Sequence, residues 1–98
     1  MLSAPDFPGN DAFGPDRASV WVLLLRLRLI AHGYADDQRS DLEQDSDLSS
    51  ARMWDDRLRL SCTLFQLDQG WRGERATGYP SEETWARVWR NWPLSLSQ

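Results

Sequence analysis

The most apolar stretch of the chain is WVLLLRLRLIAHG, at residues 21–33. Arg26 and Arg28 interrupt it too early for a membrane span, which needs about 20 apolar residues. On an α-helix these two arginines would point about 160° apart, so that neither side of the helix would be uniformly polar. With a period of two, every odd position from 21 to 31 is apolar, and both arginines share the opposite face. The pattern therefore predicts a long β-strand at residues 20–31, although leucine favours helices.

Residues 57–67, RLRLSCTLFQL, predict a second strand, because apolar residues occupy the even positions from 58 to 64. The alternation slips at Phe65, as it does at a bulge or a strand end. A helix would instead gather Leu58, Cys62 and Phe65 on one stripe, but Ser-Cys-Thr in its middle disfavours a helix. The choice between strand and helix stays open for this segment. Residues 70–80 follow a turn at DQG and predict a shorter strand, broken by glycines.

An α-helix is predicted after Pro80. Ser81 is a good N-cap residue, and two glutamates follow it in the first turn, where the helix dipole favours acids. Pro93 ends the pattern, because proline cannot continue a helix. The apolar stripe of this helix consists of Trp85, Val88, Trp89 and Trp92.

Together these elements predict an α+β fold, in which a small antiparallel sheet of three or four strands packs against the C-terminal amphipathic helix. Residues 1–16 are expected to form an extended arm, and residues 17–98 a single small domain. An acidic loop at residues 35–56 includes a short helix, because SDLE from Ser40 onward matches a capping box. The second face of the first strand is half apolar, so we expect it to meet the arm or, in a homodimer, a second copy.

Charge is distributed unevenly along the 98 residues. The net charge of −4 argues against a nucleic-acid-binding surface. Residues 36–56 hold eight acids and two arginines, a net charge of −6, so the remainder is mildly basic at +2. All eleven cationic side chains are arginines, which excludes a Schiff-base lysine and a phosphate-loop lysine. The first ten residues lack the basic and apolar regions of a secretion signal, and we expect a cytoplasmic protein.

Part of the acidic segment has the spacing of a calcium-binding loop. In DSDLSSARMWDD, Asp45, Asp47, Ser49 and Asp56 fall at loop positions 1, 3, 5 and 12. Position 6, where such a loop needs glycine, holds Ser50, and position 12 has aspartate in place of the bidentate glutamate. We therefore expect a solvated loop, with no metal and no cofactor.

No catalytic residue is predicted. Cys62 and His32 are the only residues of their kinds, and a thiolate–imidazole pair would need both. Cys62 lies on the apolar face of its segment, where cysteine is usually a small buried hydrophobe, and no third group is evident. A lone cysteine also cannot form an internal disulfide. The sequence therefore predicts a protein without enzymatic activity.

The acidic segment and six tryptophans leave binding as the predicted function. Carboxylates concentrated on one surface can imitate a phosphate backbone and occupy a basic groove. We expect a non-catalytic protein-binding module, a small acidic inhibitor or immunity-type protein of the anti-CRISPR or nuclease-immunity kind. It would cover a basic partner protein without contacting nucleic acid or membrane. The alternative is a constitutive adaptor or subunit of a larger assembly, bound through apolar and tryptophan surface. The residues predicted to contact the partner are Asp36, Asp37, Asp41, Glu43, Asp45, Asp47, Trp54, Asp55 and Asp56.

Four residues in the C-terminal third, Gly70, Trp71, Asn91 and Trp92, resemble the Gly-Trp, helix and Asn-Trp ending of MbtH-like proteins. Those proteins are small partners of peptide-synthetase adenylation domains. The resemblance covers less than a third of the chain, and the Ser-Leu-Trp-Pro element of that family is absent upstream of Trp71. It implies an adaptor-type protein and assigns no family.

Overall fold

The structure, a computed structural model, describes residues 4–44 and 48–90, which form a helical fold. Its α-helices are α1 (Val20–Ala31), α2 (Arg39–Gln44), α3 (Asp56–Asp68) and α4 (Glu82–Val88). Short 3-10 turns lie at Asn10–Ala12, Asp36–Gln38, Ser50–Arg52 and Gly73–Arg75. The described residues contain no β-strand, only an isolated bridge between Ala18 and Met53. The predicted α+β fold with its three- or four-stranded sheet is therefore wrong.

Residues 20–31 form helix α1 and not the predicted first strand. Ser19 begins the helix, because its Oγ accepts the backbone N–H groups of Trp21 (3.2 Å) and Val22 (3.4 Å). Arg26 and Arg28 do point to different sides of the helix, but both side chains are buried. The prediction failed because it required a polar side on which exposed arginines would lie. The half-apolar strand face on which the predicted homodimer was based is therefore absent, and the homodimer itself stays a prediction.

Arg26 joins α1 to the segment that leads into α3. Its guanidinium donates to the carbonyl oxygens of Ser50 (3.4 Å) and Met53 (3.0 Å) and forms an ion pair with Asp55 (3.3 Å). Burial lowers the pKa of Arg26, and the Asp55 carboxylate acts in the opposite direction. Asp55 also begins α3, since it accepts the backbone N–H of Leu58 (2.8 Å). One carboxylate thus ties the start of α3 to the middle of α1.

Arg28 joins α1 to the end of α4. Its Nε donates to the Val88 carbonyl oxygen (2.8 Å), and its Nη2 donates to that of Arg90 (3.2 Å). Carbonyl groups at the end of a helix lack partners within it and carry the negative end of its dipole. The guanidinium also lies over the Trp89 ring, 5.4 Å from the ring centre. The buried Arg28 cation is therefore stabilised by backbone oxygens and by the face of an aromatic ring.

Residues 57–67, for which strand and helix both stayed open, belong to helix α3. The buried side of this helix contains Leu58, Cys62 and Phe65, the three residues that a helical interpretation gathers on one stripe. Ser61 disfavours a helix by propensity, but here it is buried and accepts a hydrogen bond from the side-chain amide of Gln38 (2.9 Å). A tertiary contact thus outweighs the local preference.

The predicted third strand, residues 70–80, is an irregular loop with one 3-10 turn. Gln66 of α3 holds the end of this loop. Its Oε1 accepts the Gly78 N–H (2.7 Å), and its Nε2 donates to the Tyr79 carbonyl oxygen (3.1 Å). Gly78 has a φ of +89°, and a Cβ there would lie 2.6 Å from the Arg59 carbonyl oxygen. This close approach to the α3 backbone requires glycine.

The predicted C-terminal helix is confirmed as α4, with Ser81 as its N-cap. Ser81 Oγ accepts the Thr84 N–H (3.2 Å). Trp92 and Pro93, which belong to the same prediction, lie outside the described residues. The buried stripe consists of Trp85, Val88 and, directly after the helix, Trp89.

The short helix predicted within the acidic segment is confirmed as α2. It begins at Arg39, however, so that Ser40 lies inside the helix and does not cap it. The 3-10 turn at Asp36–Gln38 directly precedes this helix, so the backbone is already helical where α2 begins.

The N-terminal residues pack against α4 where they are described. Phe13 belongs to the core, and the ring centres of Phe7 and Phe13 lie 6.4 and 5.7 Å from that of Trp85. The Trp85 indole Nε1 donates to the Pro5 carbonyl oxygen (2.8 Å). The extended arm expected at residues 1–16 therefore supplies part of the aromatic core.

Replacing Arg28 by methionine should lower the free energy of unfolding by about 2 to 4 kcal/mol, because hydrogen bonds from a charged group contribute about 1.5 to 3 kcal/mol each. Methionine keeps an apolar stem but leaves the Val88 and Arg90 oxygens without this donor. Urea unfolding followed by circular dichroism measures the change. The control is Arg39→Met, since the Arg39–Asp36 ion pair (3.6 Å) lies on the surface and contributes at most about 1 kcal/mol. Equal stability of the two variants would contradict the role assigned to Arg28.

Candidate protein-binding surface

The first half of the acidic segment lies along one side of α3. Three side-chain contacts join the two, and they occur in opposite order along the two segments, so the segments run antiparallel. Acids before α2 and within α2 therefore lie near the outward side of α3. The contacts are Tyr34 OH to Asp68, the Gln38 amide to Ser61 Oγ, and the Asp41 carboxylate to the Arg57 guanidinium.

The predicted acids differ in how far arginines neutralise them. Asp36 pairs with Arg39, Asp41 with Arg57, and Asp55 with the buried Arg26. Asp45 and Asp47 lie outside the described residues. The acids that are exposed and form no ion pair with another described residue are Asp37, Glu43 and Asp56.

Arg57 shows how closely these acids are grouped. The hydrogen bond to Asp41 raises the pKa of Arg57, and the charges of Asp41, Asp55 and Asp37 act in the same direction, against a smaller effect of burial. Asp37 and Asp55 are eighteen positions apart in the sequence, yet both influence this one guanidinium. The fold therefore brings acids from both ends of the acidic segment to one place.

Trp54, which the sequence predicts to contact the partner, is buried, and so is Trp71. Trp54 is 9% exposed and stacks on Tyr79, with 5.4 Å between ring centres. Trp71 is 7% exposed and lies beneath the guanidinium groups of Arg75 and Arg87. Trp54 thus lies behind the acids and not among them, and an anchoring role for either ring would require its surroundings to open.

The structure exposes three leucines that the sequence interpretation missed. Leu60, Leu64 and Leu67 of α3 are 60%, 46% and 37% exposed. The strand interpretation assigned Leu60 and Leu64 to the same buried face as Leu58 and Cys62. On a helix, positions i, i+4 and i+7 form one stripe on the side opposite the buried residues. That spacing was the available signal, and it becomes visible only once residues 57–67 are read as a helix.

A shallow depression borders this leucine stripe on the side away from the first half of the acidic segment. Arg59 forms one wall, because its Nε donates to the Thr77 carbonyl oxygen (3.0 Å) and its guanidinium lies 4.7 Å from the centre of the Tyr79 ring. Its charge is thereby directed toward the loop that follows α3. The depression is lined by Asp56, Arg59, Leu60, Thr63, Ala76 and Thr77.

Cys62 and His32 both lie in surroundings that suit a structural role. Cys62 is fully buried, and burial raises the pKa of its thiol to about 12, so that the thiolate is strongly disfavoured at neutral pH. His32 Nε2 lies 2.9 Å from the Val88 carbonyl oxygen, and its ring packs on Phe65 with 5.3 Å between centres. These contacts account for both residues by packing and hydrogen bonding.

The acids and other ligand-type residues within 4–44 and 48–90 do not assemble a metal site. Among them, no group of three or more histidine, cysteine, aspartate or glutamate side chains could hold an ion. Of the residues with calcium-loop spacing, Asp56 lies in the first turn of α3, and Asp45 and Asp47 fall outside the described ranges. No helix in the described part of the chain is long and apolar enough to cross a bilayer.

Comparison with known proteins adds no relative. No protein-family model, no curated protein and no solved structure matches this chain.

The Tyr34–Asp68 contact gives a pH test of how the acidic segment lies on α3. The hydrogen bond to Asp68 raises the pKa of Tyr34 from 10.0 to about 12. A raised pKa means that the contact stabilises the fold below pH 10, and that this contribution is lost as the pH rises through about 12. Ultraviolet difference titration should show one tyrosine ionising near pH 12, identified by its absence in Tyr34→Phe. Asp68→Asn should return that transition toward pH 10, and an unchanged transition would contradict the contact.

Proposed function

We propose that this chain is a non-catalytic protein-binding module that covers a basic surface of a partner protein, in the manner of a small inhibitor or immunity protein. The observation that carries the proposal is the grouping of acids beside α3. Asp37 and Asp56 are exposed there without an ion pair among the described residues, Asp41 and Asp55 lie in the same neighbourhood, and Glu43 is exposed on α2.

The remaining charges strengthen this asymmetry. Arg26 and Arg28 are buried, and Arg59, Arg75 and Arg87 lie against aromatic rings. The charges of Arg26 and Arg28 are therefore withdrawn from the surface on which the exposed acids lie. A surface with excess negative charge attracts a basic partner before contact and raises the rate of association.

The proposal includes a cytoplasmic location and needs no cofactor. The stability of the fold rests on packing, and its single cysteine is buried within the core, so no disulfide and no oxidising compartment are required. A partner in the same compartment that handles nucleic acid would present the basic groove that these carboxylates fit.

A second candidate function is a constitutive adaptor or subunit, bound through apolar surface. The exposed leucines of α3 favour it, since a monomeric protein has no need of three leucines on one helix face. Salt distinguishes the two candidates. Association driven by charge weakens steeply with ionic strength, whereas apolar association does not.

The test compares two variants with the same change in net charge. In the acid variant, Asp37→Asn, Glu43→Gln and Asp56→Asn remove the exposed carboxylates, and Asp55 is kept because it caps α3. In the matched control, three exposed aspartates of the N-terminal arm are changed instead; they are Asp6→Asn, Asp11→Asn and Asp16→Asn.

Each protein is immobilised and used to capture proteins from an extract of its native host. We expect a protein that the wild type and the arm variant retain, that the acid variant loses, and that salt of about 0.5 M releases. Its association rate with the acid variant should fall about tenfold or more at low salt. Retention of the same proteins at the same rates by the acid variant would contradict the proposal, as would the absence of any protein that the acid variant loses.

A further inference from the structure

We propose that the exposed side of α3 is a docking site for a basic amphipathic helix of the partner protein. This inference rests on the proposed function and specifies the partner's chemistry. The docking site is defined as the leucine stripe Leu60, Leu64 and Leu67 together with the acids that border it.

The apolar part of the site has the geometry of a helix contact. From Leu60 to Leu67 the stripe extends over two turns of α3, about 10 Å along the helix axis. The opposite side of α3 is occupied by Leu58, Cys62 and Phe65 in the core, so α3 cannot rotate to bury the stripe without exposing them. Amphipathic helices bind such a ridge through apolar residues that repeat at i, i+3, i+4 and i+7.

The charged borders of the site determine which helix it fits. Asp41 and Asp68 lie on one side of the stripe, where the acidic segment runs along α3, and Asp37 lies near enough for its charge to act on Arg57, the partner of Asp41. Asp56 lies on the other side, at the shallow depression. Against these four acids stand three arginines. Arg57 is already paired with Asp41, Arg59 is directed toward the Tyr79 ring, and Arg72 donates to the Leu67 carbonyl oxygen (3.0 Å). The border therefore holds more acids than arginines, which favours a cationic helix.

The depression beside Leu60 offers a place for one cation of such a helix. Leu60, Thr63 and Asp56 are among the residues that line it, and Asp56 has no ion pair with another described residue. A lysine or arginine side chain can lay its aliphatic stem on Leu60 and bring its charge to Asp56. This pairing distinguishes a basic helix from a purely apolar one.

A second apolar strip on the surface lacks these features. Val20, Leu24, Leu27 and Ala31 share the outward face of α1, and the two arginines of that helix turn inward. No charged residue of α1 borders this strip, so charge does not specify what it would bind. It serves as an internal control, because Leu27 is 40% exposed, close to the value for Leu64.

The test uses a designed helical peptide as the probe. The peptide has about 18 residues, enough to form a helix in contact, with leucines at i, i+4, i+7 and i+11 and lysines on both sides of them. A matched peptide carries glutamate in place of every lysine. Binding to the full chain is measured by isothermal titration calorimetry, with circular dichroism to verify that every protein variant is folded.

We expect the lysine peptide to bind and the glutamate peptide to bind at least about tenfold more weakly. Leu60→Ser with Leu64→Ser should weaken binding of the lysine peptide about 10- to 100-fold, from the loss of two buried leucine contacts. Leu27→Ser should change it less than about twofold. Equal binding by the stripe variant and the wild type would overturn the proposal, and so would equal binding of the two peptides.

The outcome for the protein captured from the host extract separates this inference from the proposed function. If the acid variant loses that protein while the leucine-stripe variant keeps it, the acidic surface acts without the docking site, and this inference falls alone. If both variants keep it, both fall. Binding of the wild type to phosphatidylcholine vesicles through Leu60 and Leu64 would also overturn the inference, since the occupant would then be a lipid surface.

Discussion

Two buried guanidinium groups hold an otherwise apolar helix at the centre of this fold. Arg26 donates hydrogen bonds to the carbonyl oxygens of Ser50 and Met53 and forms an ion pair with Asp55. Arg28 donates hydrogen bonds to the carbonyl oxygens at the end of α4. Through these two arginines, α1 contacts the beginning of α3 on one side and the end of α4 on another side. A guanidinium suits this role because it donates several hydrogen bonds in a fixed plane. The Arg26 charge is paired with Asp55, although its buried Nε has no hydrogen-bond partner among the described residues, and the end of α4 gains donors that it lacks by itself.

The contacts of Arg26 and Asp55 determine which side of α3 faces solvent. Because Asp55 serves Arg26 and caps α3, it fixes the helix so that Leu58, Cys62 and Phe65 face the core and Leu60, Leu64 and Leu67 face solvent. The acidic segment follows α3 on the side where Arg57 and Ser61 receive it. An apolar stripe with a carboxylate border results from the same contacts that assemble the core. The proposed binding function thus needs no element beyond those that the fold already requires.

The sequence predicted local elements better than the fold. The helix after Ser81 and the short helix near Ser40 were found, because capping residues and a helical apolar stripe are local signals. Residues 20–31 were assigned to a strand, since six apolar odd positions matched a period of two by chance and the burial of Arg26 and Arg28 depends on oxygens far along the chain. The acids were recognised as a group from composition. Their pairing with Arg57 and Arg26, and the exposure of the α3 leucines, follow from tertiary contacts that no local pattern contains.

Arg28 is buried and hydrogen-bonded to the end of α4, and its side-chain Nε–H proton reports on this directly. In nitrogen-15 nuclear magnetic resonance spectra, an Nε–H that donates to the Val88 carbonyl oxygen at 2.8 Å should exchange slowly with water and show a nuclear Overhauser contact to residue 88. The exposed Arg39 provides the comparison within the same spectrum. We expect a protected Arg28 signal that is lost only as the protein unfolds. An Arg28 Nε–H that exchanges as fast as that of Arg39 would contradict it.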